Sequence, residues 1–237
     1  MSVSISIFGD SISTYSDEIH QWNPPRYTVY YRENVRIEHG LLSVEDTWWN
    51  QVIQAMRGTL CVNDSFSGSR VTGRFPAVTS KERLAALKTK NSEPDVILIF
   101  IGYNDAGFGV QLRRETDSPN PLNRKWDPFV FEDAYRHMLR AIRGEYPGAT
   151  IIYSTLMRAR KTDDTLWEEG KTFAGTCIED YSEIIREMSE EHCYLADLER
   201  TGIRFAIHDK THHPTKEGHV DIARAWVQCL GGLGLLK

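Results

Sequence analysis

The chain has 237 residues, 41% hydrophobic and 26% charged, with a formal net charge of −5. This composition suits a globular chain with a sizeable core, and it excludes a basic nucleic-acid binder, since no long basic run is present to neutralise phosphates. No apolar run approaches the roughly 20 residues that span a bilayer; the start, MSVSISIFGD, lacks an export signal, so a cytoplasmic protein is expected, with Cys61, Cys177, Cys193 and Cys229 as reduced, mostly buried thiols.

Strands are predicted at Val3–Phe8, Thr59–Asn63, Asp95–Gly102, Thr150–Thr155 and Tyr194–Asp197. The third, DVILIFIG, is nearly continuous in apolar residues, the pattern of a strand buried on both faces of a parallel sheet. Helical patterns lie between the strands. DTWWNQVIQAMRG has Asp46 as its expected cap and Trp49, Val52, Ile53 and Met56 on one face. SKERLAALK begins at Ser80. DPFVFEDAYRHMLRAIRGEYPG has Asp127 as its expected cap, Pro128 in the first turn and Gly144 near its end. FAGTCIEDYSEIIREMSEEH carries Ile178, Tyr181, Ile184, Ile185 and Met188 on one stripe. A last helix runs from about Thr215 to Cys229, and Gly231, Gly232 and Gly234 stop it.

Strands alternating with helices imply a parallel sheet covered on both faces, an α/β architecture. No repeat, low-complexity tract or linker divides the chain, so residues 1–237 read as one domain. In such sheets ligands bind beyond the strand C-termini. Two long segments without periodic pattern, Asp17–Glu45 and Phe108–Asp127, leave that edge and are expected to wall a pocket.

Four strand-end loops carry chemistry. Gly9-Asp10-Ser11 follows the first strand; Asp and Ser there are helix caps or, for Ser11, a nucleophile. Gly68 follows the second strand, where a glycine is a simple turn or brings a backbone N–H close to a ligand. Asn104, with Asp105, follows the third, either bracing its own loop or offering an amide N–H to an oxyanion. HDKTHHPTKEGH precedes the last helix and holds His208, Asp209, His212, His213 and His219. An acid shortly before a histidine orients the imidazole; a zinc site is the competitor, without HExxH spacing. Each piece alone reads as loop structure. Together, in order, they supply a nucleophile, a base and oxyanion donors (the Ser11 N–H, the Gly68 N–H and the Asn104 amide).

These residues resemble the SGNH hydrolases, also called the GDSL esterase/lipase family. The matching blocks are Gly9-Asp10-Ser11 with Ser13, the lone Gly68, Gly102-Tyr103-Asn104-Asp105 as the GxND pattern, and His213-Pro214 followed by Gly218, and they span residues 4 to about 230. The resemblance implies a flavodoxin-like three-layer αβα sandwich with a central parallel sheet of about five strands. It implies catalysis by Ser11, Asp209 and His213, with no cofactor and no metal. The family's last block reads Asp-x-x-His-Pro, whereas Lys210 stands three residues before His213 and Asp209 four. Either His213 is the base with one extra loop residue, or His212 is; the His-Pro-Thr-x-x-Gly frame favours His213. Asp10 and Asp105 read as loop braces, and Ser13 as a residue capping or packing beside the nucleophile.

The implied chemistry is hydrolysis of a small-molecule ester through an acyl-enzyme. Trp22, Tyr27, Tyr30 and Tyr31 either stack on a sugar, cover an acyl chain or pack their own loop. With no apolar lid helix in the pattern, short acyl groups such as acetyl are expected, on carbohydrates among other alcohols. The alternatives are a lysophospholipase or thioesterase, a non-catalytic binding member of the fold and a metal-dependent hydrolase using the histidines. A homo-oligomer is compatible with all of them.

Overall fold

The computed structural model describes residues 2–15, 29–73, 80–113, 126–160, 177–208 and 212–236. Its centre is a five-stranded parallel sheet of β1 (Val3–Gly9), β2 (Gly58–Ser65), β3 (Val96–Phe100), β4 (Thr150–Ser154) and β6 (Cys193–Ala196), in the order β2-β1-β3-β4-β6. A second, two-stranded parallel sheet pairs β5 (Ala159–Arg160) with β7 (Phe205–Ala206).

Alternation along the strands builds the layers. Val96, Leu98 and Phe100 of β3 join a core with Trp48, Trp49, Val52 and Ile53 of α2 (Trp48–Ala55) and Ile222, Trp226 and Leu230 of α7 (Lys216–Gly232). Ile97 and Ile99 face the opposite core, with Leu84 of α3 (Lys81–Ala85), Met138 and Ile142 of α5 (Phe131–Glu145) and Ile184 and Ile185 of α6 (Ile178–Arg186). The architecture is the expected three-layer αβα sandwich. Because β1 sits between β2 and β3, the order turns back at β1/β3, the switch point at which such sheets form their crevice.

All five expected strands are present; the third ends two residues early, at Phe100. Ser80, where the helical pattern begins, caps α3 and accepts from the Arg83 N–H, and Thr215 caps α7, accepting from the Gly218 N–H. Two caps differ. Thr47, not Asp46, caps α2 and accepts from the Asn50 N–H; the Asp46 carboxylate turns back to the Leu42 and Ser43 N–H groups. Asp127 accepts from the Phe129 N–H in a turn of its own, and α5 starts only at Phe131. Gly231 and Gly232 lie within α7 rather than beyond it; the chain reverses at Gly234, with φ +70°.

Within the segment expected to be irregular after Asp17, a short helix α1 (Glu33–Glu38) forms. It buries none of its residues, so no apolar stripe announces it. The cysteines are half-buried free thiols rather than mostly buried ones. Among the described residues, no helix is long and apolar enough to cross a membrane.

Candidate active site

Asp10 caps the single 3-10 turn Ser11–Ser13 through Ile12 N–H···Oδ1, 3.0 Å. Capping therefore belongs to Asp10, and Ser11 is left to face elsewhere. The turn is pinned from outside: Asn63 Nδ2 donates to the Ser13 carbonyl at 2.8 Å, and Trp48 Nε1 donates to Ser13 Oγ at 3.2 Å. The expected packing role of Ser13 is thereby given its partner.

The opposing wall is the start of α7. A bridge between Ile207 and Pro214 closes the loop carrying the histidines, with the His208 N–H on the His213 carbonyl at 3.1 Å. Gly218 is required here by close approach, since a Cβ would collide with the Ala206 carbonyl oxygen. This frame delivers His213 Nε2 to 2.8 Å from Ser11 Oγ. The ring that reaches Ser11 is thus that of His213, next to Pro214. Asp209 lies outside the described residues, as do Trp22 and Tyr27. Two other histidines are engaged separately: His219 Nδ1 accepts from the Trp48 N–H, and His39 Nδ1 lies 2.9 Å from the Pro214 carbonyl. Among the described residues no three His, Cys, Asp or Glu side chains converge as metal ligands would.

The β2 and β3 loops flank Ser11, because their strands flank β1. Gly68 adopts φ +78°, a left-handed conformation that admits glycine readily, and nothing lies within 4 Å of where a Cβ would stand. Asn104, in the short helix α4 (Tyr103–Gly107), donates through Nδ2 to the Ser69 carbonyl at 2.9 Å, joining the two loops and leaving a second amide hydrogen. Asp105 is the expected brace: it accepts from the Val71 and Thr72 N–H groups and from Thr72 Oγ1, at 2.9, 3.0 and 2.7 Å.

Arg83 carries no signal in the sequence pattern, yet it is fully buried beneath this loop. It pairs with Asp64 at 3.0 Å, donates to the Gly9 carbonyl at 2.7 Å and to Ser69 Oγ, and lies over the rings of Phe8 and Phe66. A buried arginine needs such saturation to offset its desolvation. It couples the residue before the Asp10-Ser11 turn to the residue after Gly68.

Burial controls the ionisation. It pushes His213 down to about 3, with His39 and His212 adding to the effect, so the ring is neutral near pH 7 and can accept a proton. It pushes Asp10 up to about 7 and Asp105 to about 6.

Residues 3–230 match the family described as GDSL-like lipase/acylhydrolase. The chain belongs to this family. As a GDSL-like protein it falls among the ester hydrolases, and solved structures agree in fold. A protein assigned to the GDSL-like lipases from Bacteroides ovatus is 24% identical, with a TM-score of 0.67 over 98% of this chain and 99% of that one. A second, from Bacteroides uniformis, is 26% identical, with a TM-score of 0.62 over 98% and 96%. A carbohydrate esterase family 3 protein from Talaromyces cellulolyticus is 18% identical, with a TM-score of 0.53 over 98% and 97%. Comparison with curated proteins gives no match.

Proposed function

We propose that this GDSL-like hydrolase cleaves short-chain, acetyl-type esters through an acyl-enzyme on Ser11, with carbohydrate esters as the leading class. The observation that carries the reading is the 2.8 Å contact between Ser11 Oγ and a half-buried, neutral His213. His213 Nε2 takes the hydroxyl proton as Ser11 Oγ attacks the acyl carbon. The tetrahedral oxyanion is held by the Ser11 and Gly68 N–H groups and the second N–H of Asn104. His213 then gives the proton to the leaving alcohol, and water repeats the sequence to release the acid. Asp209 is proposed as the group that orients His213 through Nδ1.

Residues 1–237 act as one hydrolase unit in this reading, supported by the family match over 3–230. The acidic balance of the chain supports a small-molecule substrate over a nucleic acid. The fold likeness to carbohydrate esterases supports a sugar ester as the substrate, as does the lack of any lid-like apolar helix in the sequence pattern.

The test is hydrolysis of p-nitrophenyl esters of increasing acyl length, with Ser11→Ala, His213→Ala and His212→Ala alongside. Acetate should turn over fastest, the first two variants should be inert, and His212→Ala should stay active. Preference for long chains would favour a lipid ester instead. Equal inertness of wild type and Ser11→Ala on every ester would favour a non-catalytic binding role.

A further inference from the structure

We propose that Tyr30 is a positioning residue for the base, and that the Tyr30-Tyr31 pair ties the nucleophile turn to the histidine turn. The inference rests on the reading of Ser11 and His213 given above. The Tyr30 ring lies flat on the His213 imidazole, with centroids 3.4 Å apart and planes 10° from parallel. Rotation of the imidazole about its Cβ–Cγ bond would drive a ring edge into the phenol. The stack therefore holds Nε2 on the line to Ser11 Oγ, in the one plane that gives the 2.8 Å contact.

The backbone explains why Tyr30 can do this. Thr14 Oγ1 donates to the Ser11 carbonyl at 2.8 Å and accepts from the Tyr30 N–H at 3.0 Å. One buried hydroxyl thus fixes the nucleophile turn and the stacking residue to each other. On the other side, Tyr31 Oη donates to the Pro214 carbonyl at 2.8 Å, one residue after the base. Both reacting side chains are therefore referenced to a single dipeptide that is not adjacent to either in sequence. Stacking also acts in the charged state. When His213 takes the Ser11 proton, the positive charge develops against a phenol face, an arrangement that favours a cation. That benefit is absent before proton transfer, so it belongs to the chemical step rather than to substrate binding.

The experiment compares wild type, Tyr30→Leu, Tyr30→Phe, Thr14→Val and Ser11→Ala on p-nitrophenyl acetate, with thermal melting of each. Tyr30→Leu keeps bulk but loses the aromatic face, and kcat should fall on the order of 10- to 100-fold with KM little changed, the effect expected of a misplaced base. Tyr30→Phe keeps the face and should restore kcat. Thr14→Val should lower kcat in the same pattern, which keeps the test decisive if Tyr30→Leu does not fold. Wild-type kcat in Tyr30→Leu or in Thr14→Val overturns the proposal, as does a Tyr30→Phe variant as impaired as Tyr30→Leu. If wild type is inert, or Ser11→Ala hydrolyses the ester as fast, the hydrolase reading fails and this inference falls with it. If only Ser11→Ala is inert while the Tyr30 and Thr14 variants match wild type, this inference alone fails.

Discussion

Asn104 has two partners to serve, the Ser69 carbonyl in the resting protein and the oxyanion in the proposed reaction. A donor aimed at developing charge matters more in the transition state than in the ground state. Asn104→Ala should therefore lower kcat roughly 100- to 1000-fold while KM stays close to wild type. Steady-state kinetics on an acetyl ester checks this, and a kcat near wild type would remove Asn104 from the oxyanion site. At this scale the residues proposed to meet a substrate stand out in the sequence, because Ser11, Gly68, Asn104 and His213 are residue types with few other reasons to follow strands in that order. Their supports were not. Arg83 looks like any helix cation until folding buries it between Asp64 and the Gly9 carbonyl. Tyr30 could be read as a sugar platform or as packing, because sequence spacing carries no information about a contact with a residue more than 180 positions away.

The junction of β7 with α7 sets where His213 stands, and its precision comes from one missing methyl group. Helix propensity alone would make Gly218→Ala stabilising by about 1 kcal/mol. The Ala206 carbonyl occupies the space that a Cβ needs, and a backbone atom cannot swing aside as a side chain can. Overpacking of this kind costs about 1–3 kcal/mol, and more where backbone must move, so the collision wins. Gly218→Ala should lower the melting temperature and weaken esterase activity in the protein that remains folded; a melting temperature equal to wild type or above it would show that the helix start yields freely. The Thr-x-x-Gly run made this junction legible as a helix start, since Thr215 caps through the Gly218 N–H. Less legible were starts offering two candidate caps in succession. Asp46 precedes Thr47, and the structure uses the first for the Leu42 and Ser43 N–H groups and the second for α2. Two-residue strands such as β5 and β7 are too short for any period to show.

The layered sandwich could be read from β3 alone, because a strand apolar at every position has no face to give to water, and Ile97 and Leu98 do enter opposite cores. What local pattern cannot convey is the summed electrostatic cost of closing that sandwich over ionisable groups. His39, His137, His212, His213 and His219 are all held below their ordinary 6.5, in each case by burial first. The unfolded chain takes protons on these histidines as pH falls through 6.5, while the folded chain resists. Their contribution to stability is therefore full above 6.5 and is lost on acidification, down to about 3 for His213 and His219. Asp10 and Asp105 oppose them. The fold keeps their protons up to about 7 and about 6, against 3.8 unfolded, so their contribution is present below 3.8 and lost as pH rises through those values. Over this interval the shifts of His213 and His219 roughly balance those of Asp10 and Asp105, so the lowered His39, His137 and His212 decide the sign, and stability should fall from about pH 7.5 to pH 5. Replacing Asp10 by Asn removes one of the two opposing groups, so Asp10→Asn should lose stability more steeply over the same interval. Urea unfolding midpoints at about pH 7.5, 6 and 5 test both statements. A wild type as stable at pH 5 as at pH 7.5, or an Asp10→Asn variant with a shallower dependence, would show that the buried carboxyls rather than the histidines govern the acid response of the fold.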